Sequence, residues 1–225
     1  MKYEDLLTVV DKFEQEFQLT DCIYFQALKK LEKVQADLGK LDDEQHVRRI
    51  IKAFLVQWSL MGRVVVRKGI KWGSLGQTLR SLEKEFKILR GKKFLTIDFD
   101  EETICSSIKM IYKKLRLIPY LGSPGVMAKI LHLLNPEIFL TWDSDIRKNY
   151  KKKNKWVRDA PEGYLEFLKE AQKELREAFE ERRKQTGKEF DEIEREIRWR
   201  YKNKTLARII DEYNWMEAHA KFFSE

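Results

Sequence analysis

The sequence predicts an all-α protein, a multi-helix bundle arranged in two lobes. Apolar residues recur at helical spacing along most of the 225-residue chain, as expected for helices that each bury one face. Glycine and proline are scarce, with 10 and 4 copies, which favours long helices over a turn-rich sheet protein. One alternating run, FLTIDFD at residues 94–100, has the pattern of a strand but is too isolated to form a sheet.

Composition and charge limit the class of protein. Hydrophobic residues make up 43% and charged residues 36%, so we expect a folded, soluble chain with a substantial core. The 45 Lys and Arg residues exceed the 37 Asp and Glu residues, which gives a net charge of +8. This balance favours a polyanionic partner, although a solvated surface can have the same composition.

Cysteine and histidine positions indicate no metal or redox site. Cys22 and Cys105 match no ligand spacing, and the three histidines are scattered. The chain has no signal peptide and no apolar run of membrane-spanning length. We therefore predict a cytoplasmic protein, nucleoid-associated in a prokaryote, without a membrane partner.

The N-terminal part predicts a pair of helices. Residues 3–18 carry apolar side chains at helical spacing, and Thr20 or Asp21 is the predicted N-cap of a second helix that ends at Gly39. Residues 1–40 are predicted to pack with residues 160–225 as one lobe. Residues 42–158 are predicted to form the other lobe, with a hairpin over residues 118–134.

A second segment interleaves aromatic and basic side chains. Trp58, Arg63 and Trp72 lie in a stretch that holds four of the ten glycines. Basic residues beside aromatics can bind a nucleic-acid strand by phosphate contact and base stacking, so this segment is a candidate wall of a base pocket. The alternative is a helix end with Trp58 in the core and the basic residues in solvent. Helices follow over residues 75–89 and 101–117, and Pro119 ends the latter.

Residues 121–147 carry the strongest functional pattern. A turn over Gly122, Ser123, Pro124 and Gly125 leads at Val126 into an apolar helix. The first amide groups of a helix lack intrahelical partners, and the helix dipole adds partial positive charge there. The turn is therefore a candidate phosphate-binding site formed by Gly122, Ser123, Gly125 and Val126.

Lys129 is the only lysine, arginine or acid between Val126 and Leu134. On an apolar helix it should be partly shielded from water, which lowers a lysine's pKa and favours the nucleophilic amine. Asp143, directly after Trp142, is the candidate partner carboxylate, and His132 is a candidate neighbour in the pocket. The alternative is a lysine that extends into solvent and an aspartate that only caps a helix.

Pro124-Gly125-Val126, Lys129, and Asp143-Ser144 with Ile146 resemble the helix-hairpin-helix DNA glycosylase superfamily. In that family a Leu-Pro-Gly-Val-Gly hairpin precedes a helix, and a Val-Asp-Thr-His-Val motif follows. Lys129 stands at the offset of the lysine that attacks the sugar carbon, and Asp143 at that of the catalytic aspartate. Met127 replaces the second hairpin glycine, and the interval from Lys129 to Asp143 is shorter than in most members.

The resemblance implies the two-lobed glycosylase fold and an enzyme that excises a flipped, damaged base through a lysine Schiff base, with AP lyase activity. It implies double-stranded DNA as the partner and requires no cofactor. The basic run that follows the aspartate would then lie along a phosphate backbone, or else form a solvated face: Arg147, Lys148, Lys151, Lys152, Lys153 and Lys155. Two alternatives remain, a non-catalytic nucleic-acid-binding protein and a helical protein-interaction module that docks a partner through its charged C-terminal helices.

Overall fold

The computed structural model describes residues 1–58, 71–119, 121, 123–153, 160–202 and 204–219, and all regular structure in these ranges is helical, which confirms the all-α prediction. The helices are α1 Tyr3–Ala36, a 3-10 helix Leu38–Lys40, a π-helix Asp43–Ile51 that continues as α2 Lys52–Gln57, α3 Trp72–Ser81, α4 Glu83–Leu89, α5 Glu102–Arg116, α6 Pro124–Leu134, α7 Ser144–Lys153, α8 Pro161–Thr186, α9 Phe190–Arg200 and α10 Leu206–His219. Among the described residues, no helix combines the length and apolar character needed to cross a bilayer.

The two predicted N-terminal helices are two segments of one element, α1, that meet at a kink. It runs from Tyr3 to Ala36 with non-helical dihedral angles at Phe17 (φ −125°, ψ 24°), so the predicted break is a kink. Thr20 and Asp21, the predicted caps, lie inside the helix. The Asp21 carboxylate accepts a hydrogen bond from Arg208 of α10 at 2.9 Å. A tertiary ion pair therefore takes the place of the expected local cap.

The buried apolar side chains of the described residues form one hydrophobic cluster. Helix α1 packs against α10, α6 and α8, and α10 also packs against α7. Helix α8 contacts α5 as well as α1, so the C-terminal helices touch elements from both predicted lobes. The division into two lobes remains a prediction.

Residues 94–100 form turns without a strand. The alternating pattern arises because Leu95, Ile97 and Phe99 are buried, as is Phe94, while Thr96, Asp98 and Asp100 face solvent. The amide of Gln172 in α8 donates hydrogen bonds to the carbonyl oxygens of Phe94 (2.6 Å) and Ile97 (2.8 Å). Side-chain donors thus satisfy backbone groups that a sheet would otherwise pair.

The remaining helix predictions agree in part. The helix predicted over residues 101–117 is confirmed by α5, Glu102–Arg116. The helix predicted over residues 75–89 begins earlier, at Trp72, and divides into α3 and α4 at Leu82.

Two glycines of α3 offer a matched test of packing. A Cβ atom on Gly76 would lie 1.7 Å from Asp43 Oδ1, and that carboxylate is bound by Arg80 at 2.8 and 3.2 Å. A Cβ on Gly73 would meet nothing within 4 Å. Because the methyl group must displace the Asp43 carboxylate, we expect Gly76→Ala to be less stable than Gly73→Ala by about 1–2 kcal/mol in urea denaturation.

Asp43→Ala is the control for this comparison. In that background the clash is absent, and the difference between the two glycine variants should largely disappear. An unchanged difference would contradict the packing explanation.

Candidate active site

Lys129 and Asp143, paired from the sequence, line the same pocket, whose volume is about 220 Å³. Its walls come from α1, the end of α2, α6, the segment that precedes α7, and α10. The lining side chains are Phe13, Phe17, Gln57, Trp58, Lys129, Thr141, Asp143, Arg208, Asp211 and Trp215. Residues of the segment 121–147 therefore meet residues of helices near both ends of the chain at this pocket.

The Lys129 amine is held in apolar surroundings. The neighbouring residues of α6 are buried on all sides, and Nζ lies 5.9 Å from the centroid of the Trp58 ring. Burial lowers the pKa of Lys129, and the Asp143 and Asp211 carboxyl groups partly oppose this shift. Within the described residues the amine forms no ion pair within 4 Å. A larger fraction of this lysine is thus uncharged than of a solvated one.

Asp143 caps α7 and also faces the pocket. Its Oδ1 accepts the amide hydrogens of Asp145 (3.0 Å) and Ile146 (2.9 Å), which is the N-cap arrangement. The start of α6 packs on the same residue, because a Cβ on Gly125 would lie 3.4 Å from Asp143 Cα. This distance is ordinary van der Waals contact, so the start of α6 and the cap of α7 are packed together.

The pocket has aromatic walls. The Phe17 ring centroid lies 5.0 Å from that of Phe13 and 4.9 Å from that of Trp215. On another wall Trp58 stacks on Phe54 at 4.7 Å with an interplanar angle of 16°. Aromatic side chains in a pocket can bind flat heterocycles by stacking.

Arg208 is a buried cation that links the pocket walls. Its guanidinium carbon lies 5.3, 5.0 and 5.1 Å from the ring centroids of Phe13, Tyr24 and Trp58. The same group forms ion pairs with Asp21 at 2.9 Å and Glu212 at 3.0 Å. These contacts hold aromatic residues of α1 and α2 against α10.

His132 is buried behind the pocket. Its Nδ1 lies 2.6 Å from the Phe139 carbonyl oxygen, so this nitrogen carries the hydrogen. Its Nε2 therefore accepts from the Tyr24 hydroxyl at 2.9 Å. Burial lowers the pKa of His132 to about 3, so the imidazole is neutral. The Asp211 Oδ2 lies 3.3 Å from the same Nδ1.

Three carboxylates beside Arg208 have the spacing of a metal site. Glu14, Asp21 and Glu212 place oxygen atoms within 4.8 Å of one another. The buried Lys204 ammonium contacts all three, at 2.6 Å from Glu212. A lysine thus occupies the position that a bound cation would need.

The other predicted pocket residues are more dispersed. Trp142 is fully buried, and the Arg147 guanidinium carbon lies 5.7 Å from its ring centroid. Trp72 packs against the core and does not line the pocket. Arg63 lies outside the described residues.

The predicted phosphate-binding turn is only partly accessible. Ser123 is exposed, whereas Gly125 and Val126 are buried. The Val126 amide donates to the Ser123 carbonyl at 3.0 Å and is therefore not available to a phosphate. Gly122 lies outside the described residues.

The predicted basic run begins beside the pocket. The Arg147 Nε donates to the Asp143 carbonyl at 3.3 Å. Lys148, Lys151 and Lys152 are exposed along α7. Lys155 and the side chain of Lys153 lie outside the described part of the chain.

Several pocket residues were missed from the sequence, namely Phe13, Phe17, Arg208, Asp211 and Trp215. The available signal was in α10, LARIIDEYNWMEAH, where an arginine and three acids lie among apolar residues so closely that burial of some charges is unavoidable. The aromatic residues of α1 have ordinary core spacing and give no such signal.

A larger groove of about 1080 Å³ lies along α8 and is open to solvent. Lysine, arginine, aspartate and glutamate alternate along it, for example Asp100 with Lys169 at 2.7 Å. Other charged groups along it bind the backbone, since Arg176 donates to the Leu95 carbonyl at 3.0 Å and Glu181 accepts the Tyr3 amide hydrogen at 3.0 Å.

Comparison with protein-family models, with curated protein sequences and with solved structures finds no match to this chain. The geometry and chemistry of the pocket therefore carry the functional argument.

The neutral state of His132 makes stability depend on pH. An unfolded histidine gains a proton as the pH falls through 6.5, whereas His132 in the fold stays neutral down to about 3. Its contribution to stability is therefore present above pH 6.5 and lost on acidification. We expect the free-energy difference between wild type and His132→Gln to shrink by about 2 kcal/mol from pH 7 to pH 5 in urea denaturation.

Tyr24→Phe is the matched control, because it removes the same hydrogen bond and leaves the imidazole in place. Its cost should be similar at the two pH values. A difference between wild type and His132→Gln that does not change with pH would contradict a buried neutral histidine.

Proposed function

We propose that this protein is a DNA base-excision enzyme of the glycosylase/AP lyase type, related in fold to the helix-hairpin-helix glycosylases. The observation that carries the proposal is that a shielded lysine, Lys129, and a carboxylate, Asp143, line one small aromatic pocket. The substrate is a damaged base flipped out of double-stranded DNA.

The dimensions and walls of the pocket suit a single base. Its volume of about 220 Å³ is below the roughly 300–1,000 Å³ of pockets for drug-sized ligands. The rings of Phe13, Phe17, Trp58 and Trp215 line the pocket, and aromatic side chains at such a position can contact a base. A flipped base needs such surfaces to replace the stacking that it loses in the duplex.

The pocket residues can perform the covalent chemistry. The Lys129 amine attacks the anomeric carbon, and the electrons of the glycosidic bond leave with the base. Asp143 takes up the proton that the amine loses and stabilises positive charge that develops on the sugar. The bond between the anomeric carbon and the ring oxygen then breaks with its electron pair on that oxygen, which takes the proton held by Asp143, while the departed base takes a proton from water. The iminium so formed joins lysine to the opened sugar, and loss of a proton from the adjacent sugar carbon with departure of the 3′-phosphate cleaves the strand by β-elimination.

The basic face of α7 supports a nucleic-acid partner. Lys148, Lys151 and Lys152 are exposed on the helix that Asp143 caps. Phosphate contacts at this position would hold the strand beside the pocket without reading its sequence. Such a partner places the protein in the cytoplasm or on the nucleoid.

A second candidate is a nucleic-acid-binding protein that holds a base without cleaving it. The observation that favours it is the commitment of Asp143 Oδ1 to two backbone amides of α7. Only the other carboxylate oxygen would then be available for proton transfer. Binding without turnover distinguishes this candidate from the enzyme.

Borohydride trapping tests the enzymatic proposal. Duplexes that carry an abasic site, an oxidised purine or a deaminated base should yield a covalent protein–DNA adduct, because borohydride reduces the Schiff base. Lys129→Ala should abolish the adduct, and the exposed-lysine variant Lys113→Ala should trap like wild type. No adduct with any duplex, or an undiminished adduct with Lys129→Ala, would rule the proposal out.

Asp143→Asn separates catalysis from capping. Asparagine is also a good N-cap residue, so α7 should remain intact. Loss of the carboxylate should lower the single-turnover rate by about 10²–10⁴-fold, the usual contribution of a general base. A variant with the wild-type rate would show that Asp143 only caps the helix.

Salt dependence tests the role of α7. We expect Lys151→Gln combined with Lys152→Gln to reduce the slope of log K against log salt by about 2, because each lysine that contacts a phosphate releases a counterion. The exposed adjacent pair Lys29 and Lys30 of α1, changed in the same way, is the control. Equal slopes for the two double variants would place the DNA elsewhere.

A further inference from the structure

Asp211 is a buried acid in the wall of the pocket. The residue is 1% exposed. Its Oδ1 accepts the amide hydrogen of Thr141 at 2.7 Å, and its Oδ2 has no hydrogen-bond partner among the described residues. The nearby His132 Nδ1 directs its hydrogen to the Phe139 carbonyl, at the shorter distance of 2.6 Å. Asp211 thus lines the pocket and carries a buried oxygen that lacks a hydrogen-bond partner.

Within the described ranges, no lysine or arginine forms an ion pair with Asp211 at 4 Å or less. Arg208 is already paired with Asp21 and Glu212, and His132 is neutral. The titratable groups that face Asp211 come from α1, α6, α8 and α10: Tyr24, Lys129, His132, Tyr164, Arg208 and Glu212.

The protonated form of Asp211 follows from this environment. Burial raises the pKa of Asp211 to about 8, against the lowering effects of Arg208 and the Thr141 amide. At neutral pH the group is therefore a carboxylic acid, which can donate a hydrogen bond as well as accept one. Burial also raises the pKa of the adjacent Glu212, to about 7, so a variant is needed to assign any pH effect to Asp211.

We propose that Asp211 determines ligand specificity by donating a hydrogen bond from its acid form to an acceptor atom on the inner edge of the base. The ligand class is an uncharged planar heterocycle with a ring carbonyl oxygen or an unprotonated ring nitrogen at that edge. This inference deepens the proposed function and rests on it for the identity of the ligand as a base.

The physical advantage of such a donor is discrimination. A ligand without the matching acceptor leaves the buried donor unpaired. The binding free energy lost in that case is larger than the net free energy gained from the hydrogen bond to the correct ligand. An ionised carboxylate in the same place would repel the lone pairs of that acceptor. Binding should therefore persist at neutral pH and weaken as the pH rises through the pKa of Asp211.

Calorimetric titration of the full chain with free cytosine and free adenine tests the inference without requiring turnover. Both bases keep an uncharged ring at the two pH values compared, pH 6.5 and pH 9.0. One pH unit above a pKa of about 8 leaves about one-tenth of Asp211 in the acid form. We therefore expect the affinity of the wild type to be about tenfold lower at pH 9.0 than at pH 6.5.

Asp211→Asn keeps a donor that does not titrate, so its affinity should be the same at both pH values and close to that of wild type at pH 6.5. Asp211→Leu lacks a donor and should bind at least tenfold more weakly at both. Circular dichroism melting verifies that the variants fold. Equal wild-type affinities at the two pH values, a wild-type pH response in Asp211→Asn, or no binding of either base would overturn the inference.

The two proposals fail in different ways. A covalent adduct through Lys129 together with pH-independent base binding would contradict the role of Asp211 but support the proposed enzyme. Base binding that weakens as the pH rises through 8, without any adduct, would support the role of Asp211 in a protein that binds bases but does not excise them.

Discussion

The ion pairs and ring contacts of Arg208 are the interaction on which the candidate site depends. This guanidinium joins α10 to α1 through Asp21 and packs against three aromatic rings, two of which line the pocket. Removal of one partner from a buried ion pair costs several kcal/mol, because the remaining charge is left unpaired. The walls of the pocket are therefore held in place by the same contact that closes the fold, as a preorganised site requires.

Burial also explains the chemistry of the pocket. The pKa of Lys129 is lowered and that of Asp211 is raised, and in each case loss of water favours the uncharged form. A neutral amine is a nucleophile and a neutral acid is a hydrogen-bond donor. In the proposed function, an uncharged base would enter the pocket while the exposed lysines of α7 contact the phosphates. Base excision would use both features, uncharged groups in the pocket and charged groups on the surface beside it.

Local sequence patterns predicted several helices, whereas tertiary contacts determine which residues form the pocket. The limits of α5 and the pairing of Lys129 with Asp143 follow from apolar periodicity and from one turn within a short stretch. Asp21 was assigned to a cap because its partner lies 187 residues later in the chain. Arg208 and Asp211 were missed for the same reason, since the packing of α10 on α1 and α7 brings them to the pocket.

The ionisation of the Lys129 amine tests the central claim most directly. Reductive ¹³C-methylation gives each lysine its own NMR signal, and Lys129→Arg assigns the signal of interest. A pH titration should place the pKa of Lys129 below the ordinary value of a lysine in water, because burial disfavours the ammonium form. A Lys129 signal that titrates together with those of the exposed lysines would contradict the account.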